Sequence, residues 1–524
     1  MNTPDTPGAL NTPHTPHTPH TPRAPDAPDA PGSPGGNGLR GRPRWFVTLF
    51  IVDMWERFSF YGMLAILFLY LVADPGDGGL GMAEGDAAAL SGLYMSLVFL
   101  SALPGGWLVD RVFGARRATL HGGILITAGH LLLAVPATGW LYPGLGLVAA
   151  GSGLVKPGMA SMVGRMYDGR PERREAAFSV FYMSIQVSAL VAPLVTAFLG
   201  ERVSWHLGFG AAALGMVIGL VCYGAGWSSF GGIGLAPDRP LPPAEARRLL
   251  VRVALIGGLP ALVVGSASVA GLLTVRQVLM LAGLTVLVVP AVYYRRLLRA
   301  PGIGPAHRGR LRALRWMLLA SSVFWLLFAQ GPLLLNLFAQ EAVDRVVGGF
   351  TVPAGWFQSA QPLFLLLLSP VAAALWIRLG RRVGAPAKFA GGLLLGGGAF
   401  VLMAGAASAA GRGPVSPLWL LGVYLLLVCG ELAVGPIGLS LSAEVAPPGF
   451  TGRMLGLFWL FAAVGAAVGG QVGRLVDVVP DPVYHLLLAS LGLLAGVALT
   501  VSARLLRRRL DAPAGSAVPP ARAS

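Results

Sequence analysis

The chain has 524 residues, of which 55% are hydrophobic and only 12% are charged, and its mean hydropathy is +0.68. Soluble globular proteins are about 25% charged, so this composition excludes an ordinary soluble domain and predicts a polytopic membrane protein. The net charge of +16 does not indicate a nucleic-acid-binding protein, because the arginines lie in short loops between apolar segments rather than on one surface.

The N-terminal segment 1–44 differs from the rest of the chain, since it repeats Thr-Pro-His and contains no apolar run. Pro-rich segments of this kind cannot bury a core and are predicted to be disordered. His14, His17 and His20 recur every three residues, which fits either drift of a short tandem repeat or a metal-binding tail. The tail 509–524 is also predicted to be disordered.

Fourteen apolar segments follow, and together they predict an all-α membrane protein. Each is long enough to cross a hydrocarbon core about 30 Å thick as a helix. The predicted spans are 46–72, 88–110, 118–137, 141–164, 176–200, 206–227, 249–272, 275–294, 313–339, 354–377, 387–408, 415–442, 452–474 and 483–504.

Arginine-rich loops alternate with arginine-poor loops along these fourteen spans. By the positive-inside rule, the arginine-rich side is the cytoplasm, so both termini are predicted to be cytoplasmic in a multi-pass protein of the cell membrane. The opposite side begins with an acidic loop that contains Asp74, Asp77, Glu84 and Asp86. The arginine-rich segments are 40–44, 111–117, 165–174, 247–248, 295–310, 378–388 and 504–509.

The loop after the second span reads "GGWLVDRVFGARR", and a similar pattern, "AALWIRLGRRVGA", ends the tenth span. The first of these resembles the loop motif of the major facilitator superfamily at Gly106, Asp110, Arg111, Arg116 and Arg117. The resemblance and the internal repeat imply two six-helix bundles, a plan common among transporters. The predicted divisions are an N-terminal bundle at 45–228, a linker with two inserted helices at 229–310, and a C-terminal bundle at 311–508.

Three ionisable residues lie within the first span, where a charge at the helix centre costs about 2.5–3.5 kcal/mol. Asp53, Glu56 and Arg57 are spaced i, i+3 and i+4, so they share one helical face with Tyr61. This stripe predicts either a titratable group that faces a polar cavity or a purely structural intrahelical salt bridge. Acids at the span ends are instead expected to be solvated, and these are Glu201, Glu341, Asp344 and Asp477.

Two further charges lie deep within predicted spans. Lys156 is nine residues, or about 13 Å, from Arg165 at the helix end, which is too deep for easy snorkelling. Only Lys156 and Lys388 are lysines among the 39 Lys+Arg residues. Because a desolvated lysine can lose its proton and an arginine cannot, Lys156 is a candidate for proton coupling or substrate binding. Glu431 is its candidate counter-charge, and chance placement beside backbone carbonyls is the alternative for both.

Six ordered motifs resemble the proton-dependent oligopeptide transporter family over roughly 45–505. They read "DMWERFSFYG", "GSGLVKPGMASMVG", "FYMSIQ", "FWLLFAQGPLLLNLFA", "FQSAQPLFLLLLSPVAAALW" and "ELAVGPIGLS". The resemblance implies the major facilitator fold, with the two extra helices of bacterial members, and proton-driven import of di- and tripeptides.

The resemblance also implies roles for individual residues. Asp53, Glu56, Arg57 and Lys156 match positions for proton coupling. A second set matches positions that line the substrate pocket, and its members are Arg57, Tyr61, Phe99, Lys156, Gln186, Gln361 and Glu431. The loop residues Gly106, Asp110, Arg111, Arg116 and Arg117 match the gating loop.

The chain departs from the family pattern at several of these positions. Phe60 and Phe99 replace tyrosines, Gln186 and Gln361 replace asparagines, and Asp53 replaces a glutamate. Ala329 stands where the family has a glutamate that pairs with the first-helix arginine. Arg57 would therefore use Asp53 or Glu56, or Gln330 as a neutral acceptor. These departures predict a drier pocket, and hence more apolar substrates or altered coupling.

Catalytic chemistry is not indicated, since no nucleophile–base arrangement or phosphate loop is present, so the protein is predicted not to be an enzyme. Cys222 and Cys429 lie singly in apolar segments, and no resident metal or cofactor is expected beyond protons as the coupling ion. The expected partners are small peptides and the lipid bilayer, with a monomer as the working unit. Two alternatives remain: a carrier of another solute with altered or lost proton coupling, and a non-transporting peptide-binding receptor.

Overall fold

The computed structural model describes residues 43–511, apart from 168–170, 254, 256–262, 268–269, 302 and 381. The predicted segments 1–44 and 509–524 therefore lie almost wholly outside the described residues. The regular secondary structure of the described part is helical, apart from one small hairpin, in which β1 (Val346–Val347) pairs antiparallel with β2 (Phe350–Thr351), and an isolated bridge between Val343 and Val415.

The helices follow the predicted apolar segments closely. The first group is α1 (Arg44–Val72), α2 (Glu84–Leu100), α3 (Ala102–Leu108), α4 (Ala115–Ala134), α5 (Leu141–Met166), α6 (Pro171–Arg202) and α7 (Trp205–Ala225). Two described helices come next, α8 (Pro243–Val253) and α9 (Val275–Leu298). The second group is α10 (Pro305–Phe328), α11 (Leu334–Glu341), α12 (Ala360–Leu379), α13 (Ala385–Ala410), α14 (Pro417–Val445), α15 (Thr451–Val472) and α16 (Asp481–Leu510).

Eleven helices of the described residues are long and apolar enough to cross a membrane. Helices α4 and α5 coincide with the predicted third and fourth spans but are not among the eleven. The predicted seventh span, 249–272, falls partly outside the described ranges. The polytopic all-α prediction is confirmed, whereas the count of fourteen spans stays a prediction.

Two predicted spans are interrupted, and a proline lies near each break. The second span breaks at Ser101, and Pro104, which has no N–H for an i→i−4 hydrogen bond, lies in the first turn of α3. A π-helical turn, Val109–Phe113, then leads into the loop. The ninth span ends at Phe328 and restarts at Leu334, after a turn that contains Pro332.

Within the compact part of the chain, the helices pack as two similar sets, defined here as the first set (α1–α7) and the second set (α10–α16). In the first set α1 packs on α6 and α7, and α4 packs on α5 and α7. In the second set α10 packs on α15 and α16, and α13 packs on α14 and α16. The sets meet where α2 lies against α15 and where α6 lies against α12. The boundaries of the predicted bundles stay predictions.

Candidate functional site

The predicted charged stripe forms a cluster on one face of α1. Arg57 Nε lies 3.6 Å from Asp53 Oδ1 and 3.3 Å from Glu56 Oε2. Asp53 and Glu56 are buried, with 5% and 1% of their surfaces exposed. Within the described part of the chain, Arg57 Nε and Glu56 Oε2 are buried without a hydrogen-bond partner, so their contact is an ion pair.

Asp53 also contacts α6 through the Ser184 hydroxyl, which lies within hydrogen-bond distance of two acceptors. Ser184 Oγ lies 2.5 Å from Asp53 Oδ2 and 2.6 Å from the Phe181 carbonyl oxygen. A hydroxyl has a single proton to donate. Ser184 can donate to the carboxylate when Asp53 is ionised, and to the carbonyl when a protonated Asp53 donates to Oγ. The site thus accommodates both protonation states of Asp53.

Lys156 approaches the cluster from α5 and lies against two aromatic rings. Its Nζ is 3.9 Å from Glu56 Oε1, 4.8 Å from the Phe60 ring centroid and 5.6 Å from the Phe99 ring centroid. Ser152 Oγ donates to the same Glu56 oxygen at 3.3 Å. Glu56 therefore lies between Arg57 and Lys156 and is the shared counter-charge of both cations.

Phe60 was not among the predicted site residues, although its replacement of a family tyrosine was visible in the sequence. The ring contacts show why the position matters, since ring faces attract cations. Phe99 also stacks on Trp459 of α15, with centroids 5.8 Å apart and an interplanar angle of 2°. Trp459 in turn lies 5.9 Å from Trp325 of α10. These aromatic contacts join the two helix sets beside Lys156.

Glu431, on α14 of the second set, does not pair with Lys156 as the sequence suggested. Within the described residues it has no ion-pair partner, because Lys156 contacts Glu56 instead. Glu431 instead lies within electrostatic range of Tyr61 and Tyr182 of the first set. Its carboxylate therefore lies on the side of the second set that faces the first set.

The two predicted pocket amides, Gln186 and Gln361, lie on α6 and α12. Gln186 is buried on α6, beside Tyr182. Gln361 lies near the start of α12, next to Gly331, and its Nε2 is a buried donor without a hydrogen-bond partner in the described structure. An unpaired buried donor favours a ligand or water at that position.

Ala329 directly follows the last residue of α10 and is buried among apolar side chains. The suggestion that Gln330 replaces the family glutamate is wrong, because the Gln330 amide is fully buried and already paired. Its Oε1 accepts from the Tyr484 hydroxyl at 2.9 Å, and its Nε2 donates to the Gly469 carbonyl at 3.2 Å. Arg57 is balanced by Asp53 and Glu56 together.

The predicted solvated position of Glu201 is also wrong. Glu201 Oε2 accepts from the Ala354 N–H at 2.7 Å and Oε1 accepts from the Gly355 N–H at 2.9 Å. Arg345 Nη1 lies 3.7 Å from Glu201 Oε2. The sequence does not indicate this burial, because the partners of Glu201 lie in the second set, about 150 positions away in sequence.

These Glu201 contacts lie at the arginine-poor end of the protein, where α1 ends and α2 begins. At this end the two helix sets contact each other and the gap between them is closed. Asn336 Nδ2 donates to the Ala65 carbonyl at 2.9 Å, and Trp356 Nε1 donates to the Leu194 carbonyl at 2.9 Å. In the described part of the chain, polar side-chain contacts between the sets lie at this end or near mid-helix. The remaining contacts are Asp86–Arg474, Gly85–Asp477, Ser96–Ala463, Ser359–Leu190, Gln358–Ala65 and Arg202–Thr351.

The loop motif lies at the opposite, arginine-rich end. Arg116 is buried, donates to the Gly231 and Trp227 carbonyls, and has its guanidinium carbon 3.9 Å from the Trp227 ring centroid. The Asp110 and Arg111 carbonyls accept from the backbone N–H groups of Arg239 and Leu241. The motif thus binds the segment that follows α7. Gly106 lies against Pro157, and Arg117 is exposed.

Comparison with known proteins identifies the family. The family model described as "POT family" matches residues 116–487. The chain belongs to the POT family. A di-/tripeptide transporter of Lactococcus lactis subsp. cremoris is 33% identical over 88% of this chain and 95% of its own length. An uncharacterised transporter of Bacillus subtilis, YclF, is 35% identical over 90% of this chain and 96% of its own.

Solved structures of POT proteins show the same fold. A peptide transporter POT in complex with sulfate superposes with a TM-score of 0.86 at 37% identity, covering 91% of this chain and 97% of that one. A POT family transporter in complex with 5-aminolevulinic acid gives a TM-score of 0.84 at 31% identity, covering 90% and 98%. The fold is therefore a polytopic helical fold of the major facilitator type.

Proposed function

We propose that this POT-family protein is a proton-coupled symporter that imports di- and tripeptides by alternating access. The observation that carries the proposal is the position of Glu56, buried between Arg57 and Lys156. A carboxylate shared by two cations changes its interactions with both when it takes up a proton. It can therefore convert proton binding into a change in the relative stability of two conformations.

The site has complementary groups for a peptide backbone. The Arg57 guanidinium suits the peptide carboxylate, and Lys156, which shares Glu56 with Arg57, supplies a second positive charge. Glu431, on the second set, faces them and suits the peptide amino group. A zwitterion bound this way would touch both helix sets, so its binding would favour states in which the sets approach each other.

An inward proton gradient would drive this transport as import. With the arginine-rich loops in the cytoplasm, the arginine-poor end, where the two sets make these polar contacts, would face the exterior. Asp53 and Glu56 are then candidates to take up protons from outside and release them inside, with Ser184 adapting to Asp53. A membrane potential contributes about 2.3 kcal/mol per charge per 100 mV to inward proton movement. The proposal needs no resident cofactor or second subunit.

One observation favours a second candidate, a carrier of less peptide-like solutes. Phe60 and Phe99 replace polar family residues and give the site an aromatic wall that continues to Trp459, and Ala329 replaces a third polar residue of the family. A related POT structure contains 5-aminolevulinic acid, which shows that a protein of this fold accommodates an amino acid that is not a peptide.

The experiment uses purified protein in liposomes with an imposed inward proton gradient and labelled di-alanine. We expect uptake that requires the gradient and stops when an ionophore dissipates it. Gradient-driven uptake of 5-aminolevulinic acid without di-alanine uptake would favour the second candidate. Binding of di-alanine without flux would instead indicate a receptor, and would contradict the proposal.

A further inference from the structure

Four arginines from two helices converge where the inserted helix α9 meets α10. Arg295 and Arg299 are spaced i, i+4 at the end of α9, and Arg308 and Arg312 are spaced i, i+4 at the start of α10. Residues at this spacing share a helical face. The two faces oppose each other across an open concavity of about 580 Å³, whose remaining lining residue is Leu298.

The concavity has a rigid base. Tyr294 is buried, and its hydroxyl donates to the Leu311 carbonyl at 3.1 Å, which joins α9 to α10 behind the arginines. Leu297, Ile303 and Leu311 are buried around this hydrogen bond. The four guanidinium groups thus project from a fixed corner rather than from a loose loop.

The positive charge in this corner is not neutralised by protein groups. Across the described residues, no carboxylate forms an ion pair with Arg295, Arg299, Arg308 or Arg312. Four uncompensated guanidinium groups around one cavity attract a polyvalent anion, and phosphate oxygens suit their planar donor geometry. The first turn of α10, which contains Arg308, adds the positive end of its helix dipole.

The surface next to the concavity is apolar and suits contact with lipid acyl chains. One face of α9 exposes aliphatic side chains up to the turn before Arg295, including Leu284, Val288 and Val292. On α10, Trp316 is exposed one turn beyond Arg312, and tryptophan is enriched at the level of lipid headgroups. The arginines therefore lie at the boundary between an apolar lipid-facing surface and water.

We propose that this concavity binds the phosphate headgroup of an anionic phospholipid in the leaflet on the arginine-rich side. Basic recesses between membrane helices are suited to such headgroups. The acyl chains would lie along the exposed face of α9. A bound lipid would hold the C-terminal end of α9, whereas Gln471 of α15 holds the opposite end by donating to the Leu279 carbonyl at 3.3 Å. The proposal does not depend on the transported substrate.

The test is native mass spectrometry of the full-length protein titrated with phosphatidylglycerol, alongside phosphatidylcholine as the zwitterionic lipid. We expect selective retention of phosphatidylglycerol. The pairs Arg295→Gln with Arg299→Gln, and Arg308→Gln with Arg312→Gln, should each weaken this binding about tenfold, because each arginine near an anionic lipid surface contributes substantially to its attraction.

The matched control pair is Arg508→Gln with Arg509→Gln, which removes two exposed arginines at the end of α16. Equal loss of phosphatidylglycerol in this control would overturn the proposal, because it would show attraction to general surface charge. Competition by inorganic phosphate at equal concentration would also overturn it in favour of a soluble anion. Melting temperatures in phosphatidylcholine alone verify that each variant is folded, and unchanged lipid retention in folded variants would contradict the assignment.

Discussion

Glu201 joins the two helix sets by accepting hydrogen bonds from the backbone N–H groups of Ala354, at 2.7 Å, and Gly355, at 2.9 Å. The carboxylate thereby caps the short 3₁₀ turn, Ala354–Ser359, that begins the α12 span. Because Arg57 has no partner from the second set in the described structure, this contact takes on a larger part in closing the arginine-poor end.

Replacing Glu201 with glutamine should open that end. Hydrogen bonds to a charged group contribute about 1.5–3 kcal/mol, and the neutral amide loses one acceptor and the attraction of Arg345. We expect the closed population to fall about tenfold or more relative to the open one. Electron–electron distance measurements between spin labels at Val203 and Val478, in a background without Cys222 and Cys429, would detect the change.

The matched control is Glu341→Gln, an exposed acid at the same end. It should leave the distance distribution unchanged. Equal opening in both variants would mean that net charge, rather than the Glu201 hydrogen bonds, controls closure.

Gly355 should not tolerate a side chain in the closed state. A Cβ at this position would lie 2.5 Å from Ala197 Cβ and 3.2 Å from the Ala65 carbonyl oxygen. We expect Gly355→Ala to favour the open conformation and to slow gradient-driven uptake several-fold. Gly139→Ala is the control, because a Cβ there meets nothing within 4 Å. Wild-type uptake by both variants would show that the sets do not approach this closely during transport.

Replacing Lys156 with arginine should preserve peptide binding but not proton coupling. Arginine keeps the positive charge beside Glu56 and the Phe60 ring, but it does not release a proton. We expect Lys156→Arg to retain peptide counterflow while losing most gradient-driven uptake, and Lys156→Gln to lose both. The two assays are run on the same liposomes. Full gradient-driven uptake by Lys156→Arg would assign Lys156 an electrostatic role only.

Introducing the family glutamate at position 329 should make the uptake rate less dependent on Asp53. If Asp53 and Glu56 carry the charge balance of Arg57, then Asp53→Asn alone should reduce uptake about tenfold or more, since a buried charge loses a partner. Ala329→Glu should partly restore it in the double variant. The measurement is the double-mutant cycle for uptake rate, and purely additive effects would contradict a shared role.

The charged stripe was predictable because a helix places i, i+3 and i+4 on one face, whatever surrounds it. The depth of Lys156 likewise followed from its distance to the helix end. The partners of Gln330 and Glu201 were not predictable, because Tyr484 and Ala354 are each about 150 positions away in sequence and meet them only through tertiary packing. The long apolar runs gave most helix positions, but not the breaks near Pro104 and Pro332, which depend on local backbone geometry.

Glu56 is proposed to couple proton movement to peptide movement. The most direct test of this proposal compares the wild type with Glu56→Gln, in liposomes, for di-alanine uptake driven by a proton gradient and for di-alanine exchange without one. We expect Glu56→Gln to lose gradient-driven uptake by at least about tenfold while exchange continues, because the amide occupies the same place between Arg57 and Lys156 but cannot take up a proton. Gradient-driven uptake by Glu56→Gln at the wild-type rate would contradict the proposal.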